Sequence, residues 1–328
     1  MPEHAGTRPE PKLPALLWNM PMIIDFHTHV APSEVAARPM WRGKCPMTIE
    51  NVLHAQSLAE IDHTIVSYPY HELREFDLKK QLEAISSHNR YLASLSAKHD
   101  RIDVLACAVP HGGEAFLREF ERAVKEDGCK GAMIMSSLPG HYPDDDDAFP
   151  FFQLAVEMDV PVFVHPPSIG FGEERLNIYR LGSSVGRPMD GAIAISRMIV
   201  RGLFEKLPKL KLVGSHLGGG ICEMIGRMDY AYNLREEAFF LGPYEPLLIK
   251  HPPSHYLKMM YLESTCYHVP AARCAMETVG VDHFIFGTDA PPLTSLKQAG
   301  VNVIKALKLS PTDEQKVFAG NAKNLLKI

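Results

Sequence analysis

Ile23-Ile24-Asp25-Phe26-His27-Thr28-His29 reads as a short buried strand that delivers two histidines to one side of its own end. Successive strand side chains point to opposite faces, so His27 and His29 share a face while Thr28 looks away. Two imidazoles on one rigid edge make half of a metal site, and neutral imidazole suits zinc, iron, nickel or copper. A lone His-x-His also recurs by chance at strand ends. Its weight depends on what the rest of the chain brings to the same place.

Outward from that stretch, apolar runs alternate with helical spacing. A proline- and arginine-rich loop covers residues 30–47, and residues 48–61 carry a helical pattern through Ile49, Val52, Leu53, Leu58 and Ile61. Further strands are expected at 63–68, 104–109, 131–135, 160–164, 211–215, 259–263 and 284–286, and helices at 78–99, 116–125, 151–158 and 194–207. A glycine- and arginine-rich insertion occupies 166–193, and Ser310-Pro311-Thr312-Asp313 offers a cap, a first-turn proline and an acid for a closing helix. Eight short apolar runs separated by helices predict an α/β fold, a (β/α)8 TIM barrel whose site lies at the C-terminal ends of the strands. Residues 22–328 are expected to form that single domain, with residues 1–21 a polar, proline-rich N-terminal extension.

Composition narrows the function. With 328 residues and 46% hydrophobic content the chain can bury a large core. A net charge of -5 and an acidic pI argue against a nucleic-acid partner, which needs a basic face. No apolar run approaches the roughly 20 residues that span a bilayer. Six scattered cysteines with no C-x-x-C pair suggest reduced thiols and a cytoplasmic setting.

The polar residues carry the functional signal. His27 and His29 end the first strand, His165 the fifth, His216 the sixth and Asp289 the eighth. In a barrel all five converge on one mouth, where unpaired buried imidazoles and carboxylates are costly. A divalent cation held by His27, His29, His165 and Asp289 is a shared explanation. Three or four protein ligands plus a water is the pattern of a catalytic rather than a closed structural site.

Ile24-Asp25-Phe26-His27-Thr28-His29, Val164-His165-Pro166-Pro167, Ser215-His216-Leu217-Gly218-Gly219-Gly220 and Phe286-Gly287-Thr288-Asp289 together resemble the motifs of the amidohydrolase superfamily. The branch most similar is that of the metal-dependent decarboxylases related to aminocarboxymuconate-semialdehyde decarboxylase, and the likeness runs from Met22 to Ile328. The resemblance implies one catalytic metal, usually zinc with manganese or iron(II) as alternatives, on His27, His29, His165 and Asp289. It implies His216 as general acid/base, and a homodimer or larger assembly acting on a small-molecule substrate. Binuclear members bridge two metals with a barrel lysine or glutamate, commonly on the fourth strand. Residues 131–135 contain none and Lys130 sits at the wrong end, so one metal is expected.

A catalytic cation lowers the pKa of its water from about 15.7 toward neutrality, and a histidine, with an ordinary pKa near 6.5, suits proton transfer. Those parts serve two reactions equally. The favoured one is non-oxidative decarboxylation of a small aromatic or unsaturated carboxylic acid. The other is hydrolysis of a lactone or cyclic amide with Asp289 passing the proton on, or a hydration. Substrate recognition falls to arginines, whose fork matches a carboxylate. The namesake of the branch has an arginine soon after the first loop, where residues 47–54 have none, and this argues against the muconate-semialdehyde substrate. Arg187 in the insertion and Arg227 after the glycine run are the candidate clamps, and in relatives the Gly-Arg position reaches a pocket across a dimer interface. Tyr68, Trp41, Tyr267 and His268 follow strands and are candidate pocket residues. Asp144 to Asp147 are read as solvated acids before a helix, and Gly218-Gly219-Gly220 as a close backbone approach beside the metal.

Overall fold

β-branched and apolar runs form the inner layer because both of their faces are covered. The computed structural model describes residues 22–328 apart from positions 40, 41, 71, 72, 74–76, 169 and 292. Its strands are β1 (Ile24–His29), β2 (His63–Ser67), β3 (Ile102–Val104), β4 (Ala106–Cys107), β5 (Ala132–Met135), β6 (Val162–His165), β7 (Leu212–Gly214), β8 (Tyr261–Glu263) and β9 (Phe284–Ile285). Parallel ladders run β1-β2-β3 and then β4 through β9 in order. The strands β3 and β4 are two halves of one stave, interrupted at Leu105, whose amide donates to the Val66 carbonyl at 3.0 Å. Eight staves result. The cylinder closes where the Phe26 amide donates to the Phe286 carbonyl at 3.0 Å and the Asp289 amide to the His27 carbonyl at 2.7 Å. The expected eight-stave barrel is the observed architecture.

Eight principal helices form the outer layer: α1 (Ile49–Leu58), α2 (Leu78–Ser96), α3 (Glu114–Lys125), α4 (Phe149–Met158), α5 (Arg187–Val200), α6 (Ile221–Asn233), α7 (Val269–Val279) and α8 (Leu296–Ala306). Side-chain caps open α1 and α2. The Thr48 hydroxyl accepts from the Asn51 amide ahead of α1, Asp77 accepts from the Lys80 amide ahead of α2, and Ser310 accepts from the Asp313 amide in the closing segment. Phe286 and Phe318 pack edge-on between the layers, and inside the cylinder Phe26 of β1 meets Phe163 of β6 with ring centroids 5.4 Å apart. None of the described helices is long and apolar enough to cross a membrane.

Several local expectations are corrected. The insertion is partly helical, with a turn at Glu173–Leu176, and α5 begins at Arg187 rather than 194. Pro188, with its fixed φ, and Asp190, opposite the helix dipole, both suit a first turn. The helix expected to reach 207 breaks at Gly202, where φ is +75° and a Cβ would lie 2.6 Å from the Leu248 carbonyl oxygen. Asp144 does not face water. It is buried, 2.6 Å from Arg197 Nε and 3.6 Å from Arg201 Nε. The close approach expected of the glycine run is made against α5, where a Cβ on Gly219 would sit 1.9 Å from the Pro188 carbonyl oxygen. Tyr68 is a core residue packed edge-on against His88 rather than a pocket residue. Trp41 and the 1–21 extension lie outside the described residues.

Candidate metal centre

The barrel brings His27, His29, His165 and Asp289 together. The first pair comes from β1, His165 ends β6, and Asp289 follows β9. The Nε2 atoms of His27 and His29 are 3.1 Å apart, as are those of His29 and His165. Asp289 Oδ1 lies 3.0 Å from His29 Nε2 and 3.4 Å from His27 Nε2. Bonds of about 2.0–2.2 Å to one common ion produce ligand-to-ligand spacings of about 2.9–3.4 Å. The donor set therefore fits a divalent cation, and the four ligand atoms form a group able to hold one.

Glu263, at the end of β8, fixes the outer side of this cluster. Its carboxylate is fully buried and its Oε2 accepts from His27 Nδ1 at 2.8 Å and from the His216 amide at 3.0 Å. Its Oε1 accepts from the Thr265 amide at 2.6 Å and from the Thr265 hydroxyl. With Nδ1 protonated toward Glu263, His27 turns a lone pair from Nε2 into the cluster. His29 does the same through Nδ1, 3.2 Å from the Ser67 hydroxyl. Two carboxylates, Glu263 fully buried and Asp289 31% exposed, would balance the charge of one dication held on neutral imidazoles.

Burial alone would raise the Glu263 carboxyl, but His27 outweighs it and holds it below the usual range. Asp289 is likewise held far down against burial by His27 and His29. His27 is pushed down by burial and up by Glu263 and Asp289, which prevail, whereas burial prevails at His29 and lowers it.

His216 sits beside the donors, its ring centroid 5.2 Å from His27 and 5.8 Å from His165. Burial lowers its pKa. His216, Leu217, Tyr267 and Asp289 all have φ between +52° and +57°. For residues with a Cβ this costs about 1–2 kcal/mol each, strain of the kind retained at functional sites. Tyr267 donates its hydroxyl to the Thr288 carbonyl, one residue before Asp289. His268 is exposed at the start of α7.

Arg187 is half-buried at the start of α5, and its Nε donates to the Ser168 carbonyl at 3.2 Å. Burial lowers its guanidinium and the Asp289 carboxylate partly restores it, so Arg187 lies within the field of the cluster. Arg227 is exposed on α6, with no hydrogen bond or ion pair to the cluster among the described residues.

The amidohydrolase family matches residues 24–328. The chain belongs to it. This amidohydrolase is 30% identical over 215 residues to a 2-amino-3-carboxymuconate-6-semialdehyde decarboxylase of Dictyostelium discoideum, a match covering 65% of this chain and 57% of that one. It thus spans less than two thirds of that relative. It is 27% identical over 264 residues to a gamma-resorcylate decarboxylase of Polaromonas sp., covering 77% of this chain and 78% of that one. Among solved structures, 5-carboxyvanillate decarboxylase from Sphingomonas paucimobilis superposes with a TM-score of 0.84 at 20% identity, over 94% of this chain and all of that one. A Polaromonas dihydroxybenzoic acid decarboxylase with bound manganese and 2-nitroresorcinol gives 0.81 at 23% identity, over 94% and 97% of the two chains. Both show the shared fold. In this amidohydrolase β5 carries no lysine, and Lys130 lies before it, 3.8 Å from Asp103.

The sequence reasoning missed Glu263. Its signal was present, because Glu263 ends an apolar strand as His165 does. Its partners, a ring nitrogen, two backbone amides and the Thr265 hydroxyl, leave no spacing pattern.

Proposed function

We propose that this amidohydrolase is a divalent-metal-dependent, non-oxidative decarboxylase of a small aromatic or unsaturated carboxylic acid, cytoplasmic, with residues 22–328 as its one catalytic domain. One observation carries the reading: a complete His27, His29, His165 and Asp289 donor set stands beside His216. It does so in a chain whose relatives bear the names of gamma-resorcylate and carboxymuconate-semialdehyde decarboxylases. The donors hold one ion, zinc by their chemistry, with manganese, as in the Polaromonas structure, or iron(II) as alternatives.

When bound, the ion supplies a Lewis acid for the substrate's carboxylate or an adjacent oxygen. Arg187 grips the carboxylate through its guanidinium fork. His216 delivers a proton to the carbon that bears the carboxylate, which becomes tetrahedral. The bond to the carboxylate then breaks, its electron pair restores the ring or alkene, and carbon dioxide leaves. One proton is taken up for each carbon dioxide released. Asp289 holds its oxygen toward His29 and keeps the donors in register.

Arg227 takes its role in an assembly. It shares α6 with Tyr230, 46% exposed, and α6 leads to Phe239, Phe240 and Leu241, which are 75%, 74% and 68% exposed. An apolar patch of that kind marks an interaction surface, and a homodimer would cover it and carry Arg227 to the partner's pocket. Purified protein supplied with zinc or manganese is expected to release carbon dioxide from members of a panel of hydroxybenzoates and unsaturated diacids. Turnover of lactones or cyclic amides with no carbon dioxide release across that panel would replace this reading with a hydrolase.

A further inference from the structure

Lys297 is completely buried on the first turn of α8, and its ammonium bonds Asp25 and Thr28 rather than any of the four cluster residues. A buried ammonium is costly unless it is paired and hydrogen-bonded. Lys297 Nζ is both. It lies 2.5 Å from Asp25 Oδ2 and donates to the Thr28 hydroxyl at 2.8 Å.

What Asp25 does with its remaining capacity is informative. Its Oδ1 accepts from the His27 amide at 3.1 Å and from the Thr288 amide at 3.1 Å. Its Oδ2 accepts from the Thr28 hydroxyl at 2.9 Å and the Thr288 hydroxyl at 2.6 Å. One carboxylate thus grips the backbone of the donor His27 and that of Thr288, which precedes the donor Asp289. The loop that carries Asp289 runs from Thr288 to α8, and both of its ends are held on Asp25.

Local backbone geometry makes this possible. In a regular strand Asp25 and Thr28, three apart, would face opposite sides. The register against β2 slips between Asp25 and Thr28, a bulge that puts one extra residue on β1. Their side chains therefore meet, on the side facing α8.

We propose that Lys297 is a positioning residue for the metal centre: through Asp25 and Thr28 it fixes the strand bearing His27 and the loop bearing Asp289 at the separation the ion requires. This rests on the reading of the His27, His29, His165 and Asp289 cluster as a metal site. Lys297 is charge-balanced by Asp25 and contributes geometry rather than net field.

The test compares zinc affinity of the metal-stripped protein, by competition with a chromophoric chelator, with the Tm of the same metal-free samples. Groups that orient a metal's ligands typically contribute 10–100-fold to metal affinity. Lys297→Met is expected to weaken zinc binding by about that factor. Thr28→Val, which keeps the shape and removes the bridging hydroxyl, is expected to weaken it about 3–10-fold and serves should Lys297→Met not fold. Glu119→Gln, in a separate network between α2 and α3, is the control and is expected to lower Tm while zinc affinity stays at the wild-type value. Lys297→Met or Thr28→Val proteins that lose Tm as Glu119→Gln does but hold zinc as tightly as wild type would overturn the proposal. A wild-type protein that binds no zinc, or binds it equally well after His29→Ala, would instead overturn the site reading beneath it.

Discussion

His216 shows how a residue's position in the chain and its position in space combine. Its place after an apolar run was legible, and with it the strand-end pattern shared by His27, His29, His165 and Asp289. Its left-handed backbone and its anchorage to Glu263 were not. His216→Asn keeps a polar side chain of smaller size and removes the proton-transfer group. It is expected to lower the decarboxylation rate about 10²–10⁴-fold while metal content stays at the wild-type level, measured by elemental analysis beside the carbon dioxide assay. Glu263→Gln should invert that outcome. The carboxylate that holds the proton on His27 Nδ1 becomes an amide, and zinc affinity is expected to fall about 10–100-fold. A Glu263→Gln protein that bound zinc normally would separate Glu263 from the orientation of His27. Arg187 was readable only as a candidate, because its place at the head of α5 depends on that helix starting seven residues earlier than the apolar spacing suggests.

Elements were legible where burial and capping agreed, as at α1 with its Thr48 cap and at β6 with its unbroken apolar run. They were less legible where tertiary contacts overrode composition. The helix start at Arg187 lies in a stretch whose glycines read as loop, and Tyr68 reads as pocket lining until α2 brings His88 against it. The α2–α3 contact hides a polar network of the same sort. Glu119 accepts from Arg122 Nε and Nη2 at 2.9 and 2.7 Å and from Asn89 Nδ2 at 3.0 Å, while Asn89 Oδ1 accepts from the Cys107 amide at 2.7 Å in β4. Burial pushes the Glu119 carboxyl up, but the hydrogen bonds from Arg122 and Asn89 prevail and hold it below its ordinary 4.5. A depressed folded-state pKa stabilises above the unfolded value and loses that contribution as pH falls through the folded one. Glu119→Gln is therefore expected to cost about 1–3 kcal/mol at pH 7. The difference in Tm from wild type should narrow once the pH drops below about 4.5. A gap that stayed constant from pH 7 to pH 3 would show that Glu119 does not act through its charge.

At the scale of the whole molecule, the metal centre and the closure of the barrel are one structure. Eight alternating units predict a cylinder, but not that its first and last staves meet through the donors themselves. The Asp289 amide bonds the His27 carbonyl at 2.7 Å, the Phe26 amide bonds the Phe286 carbonyl at 3.0 Å, and the donor atoms of His27 and Asp289 lie 3.4 Å apart just above. An ion held as proposed, shared by β1, β6 and the loop after β9, would tie the seam across the mouth. If the native state binds it as proposed and the unfolded chain does not, free ion at a thousand times its dissociation constant adds about 4.1 kcal/mol of stability. Chelation should lower Tm, and re-addition of zinc or manganese should restore it. The loss should also be local. Without the ion, the seam loses its bridging charge while the β4 to β9 ladder keeps its own hydrogen bonds. Hydrogen exchange after chelation is thus expected to speed up first at the amides of Phe26 and Asp289, which donate across the seam, with those of Ile134 and Val164 in β5 and β6 little changed. Uniform acceleration across all staves would mean that the ion stabilises the fold as a whole and not its closure.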